Sequence, residues 1–318
     1  MTTRSHAAAS APSALRPFLD GAIDYAGLFP PAQLDMPGAV AAYASYLDSE
    51  DAWALGRFVV PVARLHELAS ATAVPATARD QAARAGARAP WHLSALLGTD
   101  AAADMTRVRA FNERFAEPPA DQWRARIEAV EVRAATAAAI RDATGVVGRE
   151  LECYVEIPTD GDPAPLVRAI AETRACAKVR TGGTTSDAFP TSGDLLRFLS
   201  ACVAERVPFK ATAGLHHPLR GVYALTYEAG SARGTMFGFV NVFLATALLR
   251  AGADEQVALA ALEETAPDRV VFDQDGVVWR GHHLTRSQLV AAHELAITSF
   301  GSCSFREPID DLAALGML

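Results

Sequence analysis

The segment ACAKVRTGG (residues 175–183) is followed by a helical pattern over residues 193–206 and then by FKATAG (residues 209–214). Each short run alternates apolar and polar positions, the period of a strand. A strand, a helix and a second strand in close succession make a parallel unit. The same rhythm continues in both directions. Upstream, β-rich runs stand at Ala22–Phe29, Arg57–Val62, Trp91–Leu97, Ile127–Arg133 and Glu152–Ile157, each followed by a helical pattern. Downstream, an eighth run covers Ile297–Ser304, and a closing helix ends at Leu315. Eight such alternations predict one (β/α)8 barrel over residues 16–318, an architecture that needs about 250 residues. Residues 1–15, rich in Ala and Ser, read as a disordered tail.

Residues 215–296 interrupt the rhythm as an insertion between strands seven and eight. Helical patterns stand near Met236–Arg250, Asp254–Glu264 and Thr285–Ala296, and a hairpin is expected over Arg269–Trp279, turning at Asp275-Gly276. The hairpin exceeds what a minimal barrel needs; a lid or an oligomer contact is its expected use, the contact preferred, and the chain is expected to form a homo-oligomer.

Half of the residues are apolar (50%) and 21% are charged, which suits a folded globular chain. A net charge of −8 argues against nucleic acid or an anionic membrane as partner, while leaving room for a local anion site. No run of about 18 apolar residues and no signal-peptide pattern occur, so no membrane span and a cytoplasmic location are expected. The four cysteines, Cys153, Cys176, Cys202 and Cys303, lack C-x-x-C spacing, so no zinc or redox motif is formed. No G-x-G-x-x-G or Walker pattern follows any strand, and no cofactor is expected. The expected partner is a small-molecule substrate.

Of 29 basic residues, only Lys178 and Lys210 are lysines, leaving 27 arginines. Arginine is permanently charged and cannot act as an amine nucleophile, whereas lysine can. In a barrel the active site lies at the C-terminal ends of the strands. The polar residues there are Asp24, Glu131, Arg133, Glu156, Lys178, Arg180, Lys210 and Thr212. His216, His217, Gly301, Ser302, Cys303 and Ser304 stand just beyond or at the eighth strand's end. Neighbouring strands lie about 4.8 Å apart, which brings the two ammonium groups close. Like charge and partial desolvation then push one lysine's pKa down, as a Schiff-base nucleophile requires. Glu131 is placed to move protons. The competing reading pairs both lysines with Glu131 and Glu156 as a buried charge layer.

His216 and His217 are adjacent, so they point opposite ways in an extended chain. One of them is expected to serve as a substrate or acid–base group. The alternative is a metal-dependent lyase or hydrolase that joins one of them to Glu156 or Asp24. Tyr25 and Phe29 line the pocket or belong to the core. A third reading is a non-catalytic barrel that binds a phosphorylated or carboxylated ligand.

The order Lys178-Val-Arg-Thr-Gly-Gly183, Phe209-Lys-Ala-Thr-Ala-Gly214 and Phe300-Gly-Ser-Cys-Ser304 resembles the last three strands of the class I aldolase family that includes deoxyribose-phosphate aldolase. Ile23-Asp24 and Val130-Glu131-Val132 are similar to its first- and fourth-strand motifs. The resemblance implies Lys178 as Schiff-base nucleophile, Lys210 as the group that tunes it, and Glu131 in the place of an acid/base Asp. It also implies that Gly214, Gly301 and Ser304 stand where that family binds substrate phosphate. Arg180, Ala213, the His216-His217-Pro218 turn, Cys303 and the long insertion depart from the pattern. They point to a different substrate, a small carbonyl compound with a carboxylate or phosphate near Arg180.

Overall fold

The computed structural model describes residues 13–71, 90–117 and 124–318. Of the tail expected over residues 1–15, residues 1–12 lie outside the described residues, and Leu15 begins a short helix, α1 (Leu15–Phe18). Eight strands close into a parallel barrel: β1 (Ile23–Tyr25), β2 (Leu55–Pro61), β3 (Trp91–Leu96), β4 (Ala125–Arg133), β5 (Glu152–Glu156), β6 (Cys176–Arg180), β7 (Phe209–Thr212) and β13 (Ile297–Ser302). Closure runs through β1, which pairs in parallel with both β2 and β13. This is the TIM barrel that the alternating pattern predicts.

Helices alternate with the strands around the outside. They include α2 (Met36–Leu47), α3 (Leu65–Ser70), α4 (Ala101–Ala116), α5 (Ala137–Val147), α6 (Ala164–Ala171) and α7 (Ser192–Glu205). Local chemistry starts them where the sequence says. Asp35 accepts the Gly38 amide at the head of α2, and Thr191 and Asp194 form a reciprocal capping box on α7. The strand residues Ala177, Val179, Phe209, Ala211, Val130 and Val155 point outward into the apolar layer beneath these helices. Alternation therefore turns Lys178, Lys210, Glu131 and Tyr154 into the barrel. Most TIM barrels fill that space with Val, Ile and Leu; here it holds charge.

Three register shifts occur among the described barrel strands, one between β1 and β2 and two that bear on β4 and β13. Leu93 pairs with Ile127 but Ser94 pairs with Ala129, so Glu128 is the extra residue of β4. The same slip makes Thr298 extra in β13. Because of the β4 bulge, Glu128 and Glu131 both line interior space despite their odd separation, at opposite ends of the barrel.

The insertion is richer than the sequence suggested. A hairpin, β8 (Gly221–Ala224) and β9 (Arg233–Met236), precedes α8 (Phe239–Arg250) and α9 (Glu255–Leu262). The hairpin expected over Arg269–Trp279 is the first part of a three-stranded meander, β10 (Val270–Phe272), β11 (Gly276–Trp279) and β12 (His282–Thr285). Its turn spans Asp273–Gly276, where Asp273 Oδ1 accepts the amides of Asp275 and Gly276. The chain ends with α10 (Arg286–Leu295), β13 and α11 (Arg306–Ala314). Every residue of α8 from Phe239 to Leu248 is buried, and the helix packs on α7, α9, α10 and β13. No helix among the described residues is long and apolar enough to cross a membrane.

Gly56 ties this frame to the interior charges. A Cβ there would lie 2.5 Å from Asp24 Oδ1 and 2.6 Å from the Gly21 carbonyl. Gly56→Ala is expected to destabilise the fold by about 1–3 kcal/mol through this overpacking. A denaturant midpoint equal to that of the wild type would contradict the assignment.

Candidate active site

β6 and β7 are paired so that Lys178 lies directly opposite Lys210. Carboxylates from three other strands converge on them. Lys178 Nζ is 2.7 Å from Glu131 Oε2 and 2.7 Å from Glu156 Oε2. Lys210 Nζ is 2.8 Å from Glu131 Oε1 and 2.5 Å from Asp24 Oδ2. Glu131 thus takes one lysine on each oxygen and also accepts the Ser94 hydroxyl at 2.7 Å. Asp24 accepts the Ser299 hydroxyl at 2.9 Å and the Arg57 amide at 2.7 Å. Lys210 also stands 5.3 Å from the centre of the Tyr154 ring. The two cations and three anions are nearly all below one-tenth exposed, so each depends on its neighbours for the solvation it has lost.

Like charge and desolvation predict that one lysine of the pair is lowered, and the resemblance makes Lys178 that one; Lys210 moves the other way. Burial opposes its charge, but Asp24 and Glu131 outweigh burial and raise its pKa. Burial likewise opposes ionisation of Glu131 and Glu156. The lysines prevail at both, and each carboxyl is held below its ordinary range, Glu131 far below. The competing reading of a buried charge layer is therefore physically present, with Asp24 as a member that the sequence reading had placed with the substrate.

Above the layer a cavity of about 190 Å³ opens at the C-terminal ends of the strands. Lys178, Lys210 and Glu131 lie on its lining, and so do the candidates Arg133, Arg180, Thr212, Gly214, His216 and Gly301. Phe29 lines it too, whereas Tyr25 is buried in a stack with Tyr43 and Phe58. Gly301 keeps the wall thin, since a Cβ there would meet Thr212 Oγ1 at 3.1 Å. Arg133 pairs with Glu156 at 2.9 Å, while Arg180 is exposed and forms no ion pair with the described residues.

Four candidates are off this lining, and Glu156 is held just behind it by Lys178 and Arg133. Asp24 lines a separate cavity of about 270 Å³ at the N-terminal ends of the strands, beside Arg57, Glu128 and Glu152. Its short strand β1 sets it one layer deeper than a strand-end residue. His217 turns away from the cavity, binds Asp311 at 2.6 Å and stacks on Tyr223. Ser304 is outside the lining, and its hydroxyl accepts the Glu307 amide at 3.2 Å, at the start of α11.

His216 has partners that sequence reasoning missed. Its Nδ1 is 3.2 Å from Glu307 Oε2 and 3.8 Å from Cys303 Sγ. Burial disfavours its charge, but Cys303 and Glu307 together raise its pKa to about 9. Glu307 is held below the ordinary carboxylate range: burial opposes this, and His216 outweighs it. Ser94, Ser299, Glu307 and Tyr227 also escaped notice. Ser94 and Ser299 had a signal, as small polar residues within buried strands. Glu307 and Tyr227 had none, because a helix start and a hairpin loop show no period. Among the described residues no three His, Cys, Asp or Glu side chains converge as a metal site. His216 meets Glu307 rather than Glu156 or Asp24.

No family model, curated protein or solved structure matches the chain.

Two outcomes test this electrostatic map. Lys210→Met leaves Asp24 buried without its cation and should cost about 3–5 kcal/mol in denaturant unfolding; a loss under 1 kcal/mol would contradict it. The raised pKa of His216 makes its protonation favour the fold. That contribution is complete below pH 6.5, the ordinary value, and is lost as pH rises through about 9. The thermal stability advantage of wild type over His216→Asn should therefore shrink from pH 6 to pH 10. An advantage that stays constant over that range would refute the assignment.

Proposed function

We propose that the protein is a carbon–carbon lyase that forms a Schiff base between Lys178 and a small anionic carbonyl compound. One observation carries this reading: the chain's only two lysines stand on adjacent strands at the floor of the cavity, and one glutamate separates them. TIM barrels commonly host enzymes, with the chemistry at this end. The motif order shared with class I aldolases agrees with the same roles.

For the amine to attack, Lys178 must shed a proton, and Glu131 and Glu156 are the acceptors at contact distance. The nitrogen then bonds to the carbonyl carbon and water leaves. The resulting iminium accepts the electron pair of the breaking carbon–carbon bond. Lys210 remains an ammonium beside Glu131 and steadies that carboxylate as protons move. Glu156 is the more accessible of the two carboxylates, with its side chain 10% exposed against 3% for Glu131, and is suited to exchange protons with solvent. Arg180, with support from Arg133, is placed to hold a carboxylate or phosphate on the substrate. The cavity is smaller than the roughly 300–1,000 Å³ of drug-sized sites, which favours a compound of a few carbons.

Incubation with small oxo-acids and sugar phosphates, followed by borohydride, should fix one adduct, mapped by mass spectrometry to Lys178. Lys178→Arg should abolish both adduct and turnover while the far-ultraviolet circular dichroism is unchanged. An adduct mapped to Lys210, or none across the whole carbonyl panel, overturns the proposal.

A further inference from the structure

The cavity holds a second group with nucleophilic chemistry. Cys303 lies on its lining together with Lys178, although the thiol's residue is only 5% exposed. Three side chains surround the sulfur. His216 Nδ1 is 3.8 Å away and Tyr227 Oη 3.4 Å away. Glu307 Oε2 joins these two, 3.2 Å from His216 Nδ1 and accepting the Tyr227 hydroxyl at 3.0 Å. The four groups come from distant parts of the chain: the turn after β7, the loop of the β8–β9 hairpin, the end of β13 and the first turn of α11. The Nε2 of His216 makes no hydrogen bond with the described residues. It is also absent from the unpaired polar atoms that the protein encloses. Since His216 lines the cavity, that nitrogen is open to it.

The other cysteines provide the contrast. Cys153, Cys176 and Cys202 are all buried, and none lines this cavity. Burial pushes the thiols of Cys153 and Cys176 up to about 12, and that of Cys202 well above its ordinary value. A thiol left in an apolar layer is inert, whereas one beside an imidazole and a carboxylate in an accessible cavity is placed to react.

We propose that Cys303 is a second nucleophile of this cavity, served by His216, Glu307 and Tyr227, and that it captures small aldehydes as hemithioacetals. The sulfur bonds to the carbonyl carbon, and the π pair moves to oxygen. The imidazolium of His216 gives its Nε2 proton to that oxygen. The thiol proton passes through the Tyr227 hydroxyl to Glu307, so protons and charge balance. The addition is reversible and needs no oxidant. It is independent of the Schiff base at Lys178, because each nucleophile has its own proton acceptors.

The test is alkylation of the folded protein by iodoacetamide, with each cysteine followed by peptide mass spectrometry. Cys303 should react at least tenfold faster than Cys153, Cys176 or Cys202. His216→Asn should slow Cys303 at least tenfold while the thermal unfolding transition at pH 6 stays cooperative. Glycolaldehyde should slow alkylation of Cys303 in wild type and equally in Lys178→Arg, which separates this site from imine formation. Equal rates for the four cysteines, or an unchanged rate in His216→Asn, overturn the proposed nucleophile. Glycolaldehyde without effect on Cys303 overturns the capture of aldehydes.

Discussion

The carboxylate of Glu131 carries a lysine on each oxygen, inside a barrel that other sequences fill with hydrocarbon. Its position constrains everything around it. Two ammonium groups on adjacent strands would repel strongly in so dry a space, and the bridging carboxylate turns that repulsion into two attractions. Asp24 and Glu156 then complete the shell of one lysine each. Replacing the whole layer by apolar residues of similar volume would be expected to stabilise many proteins, because buried ion pairs seldom recover their full desolvation cost. A layer of five charges is therefore a sign of use rather than of stability.

The layer also divides the lysines by environment. Lys210 is enclosed by Asp24, Glu131 and Tyr154 and is only 1% exposed. Lys178 is paired on the side of Glu156, next to the rim where Arg133 and Arg180 stand. At the far wall Cys303 and His216 form a second group of opposite design, a thiol beside an imidazole and a carboxylate. Under the two proposals, the small site offers an amine to one carbonyl carbon, a thiol to another and arginine to an anionic end.

Much of the fold was legible because most barrel strands are short apolar-rich runs and several helices begin at a capping residue, among them Asp35, Thr191 and Thr285. The elements missed, β8, β9 and β12, are four residues long and carry too little apolar surface to show a period. In the site, alternation on β6 and β7 was enough to place Lys178 and Lys210 on one face and adjacent. What it could not supply was their neutralisation. Asp24 lies 186 residues from Lys210, and only barrel closure through β1 and β13 brings them together. The expectation of one lowered lysine therefore rested on like charge and desolvation without these carboxylates, which raise Lys210. His217 and Ser304 were misplaced for a related reason. Neighbouring residues in a turn diverge, and α11 captures both side chains, His217 through Asp311 and Ser304 through the Glu307 amide.

The central claim is that the two lysines have unequal roles, with Lys178 reactive and Lys210 locked. Because the chain has no other lysine, reductive methylation with formaldehyde and cyanoborohydride reads the two amines directly, each rate taken from its own peptide. The account predicts that Lys178 is methylated in the folded protein and that Lys210 is modified only after unfolding. Methylation of Lys210 at the rate of Lys178, or faster, would contradict it.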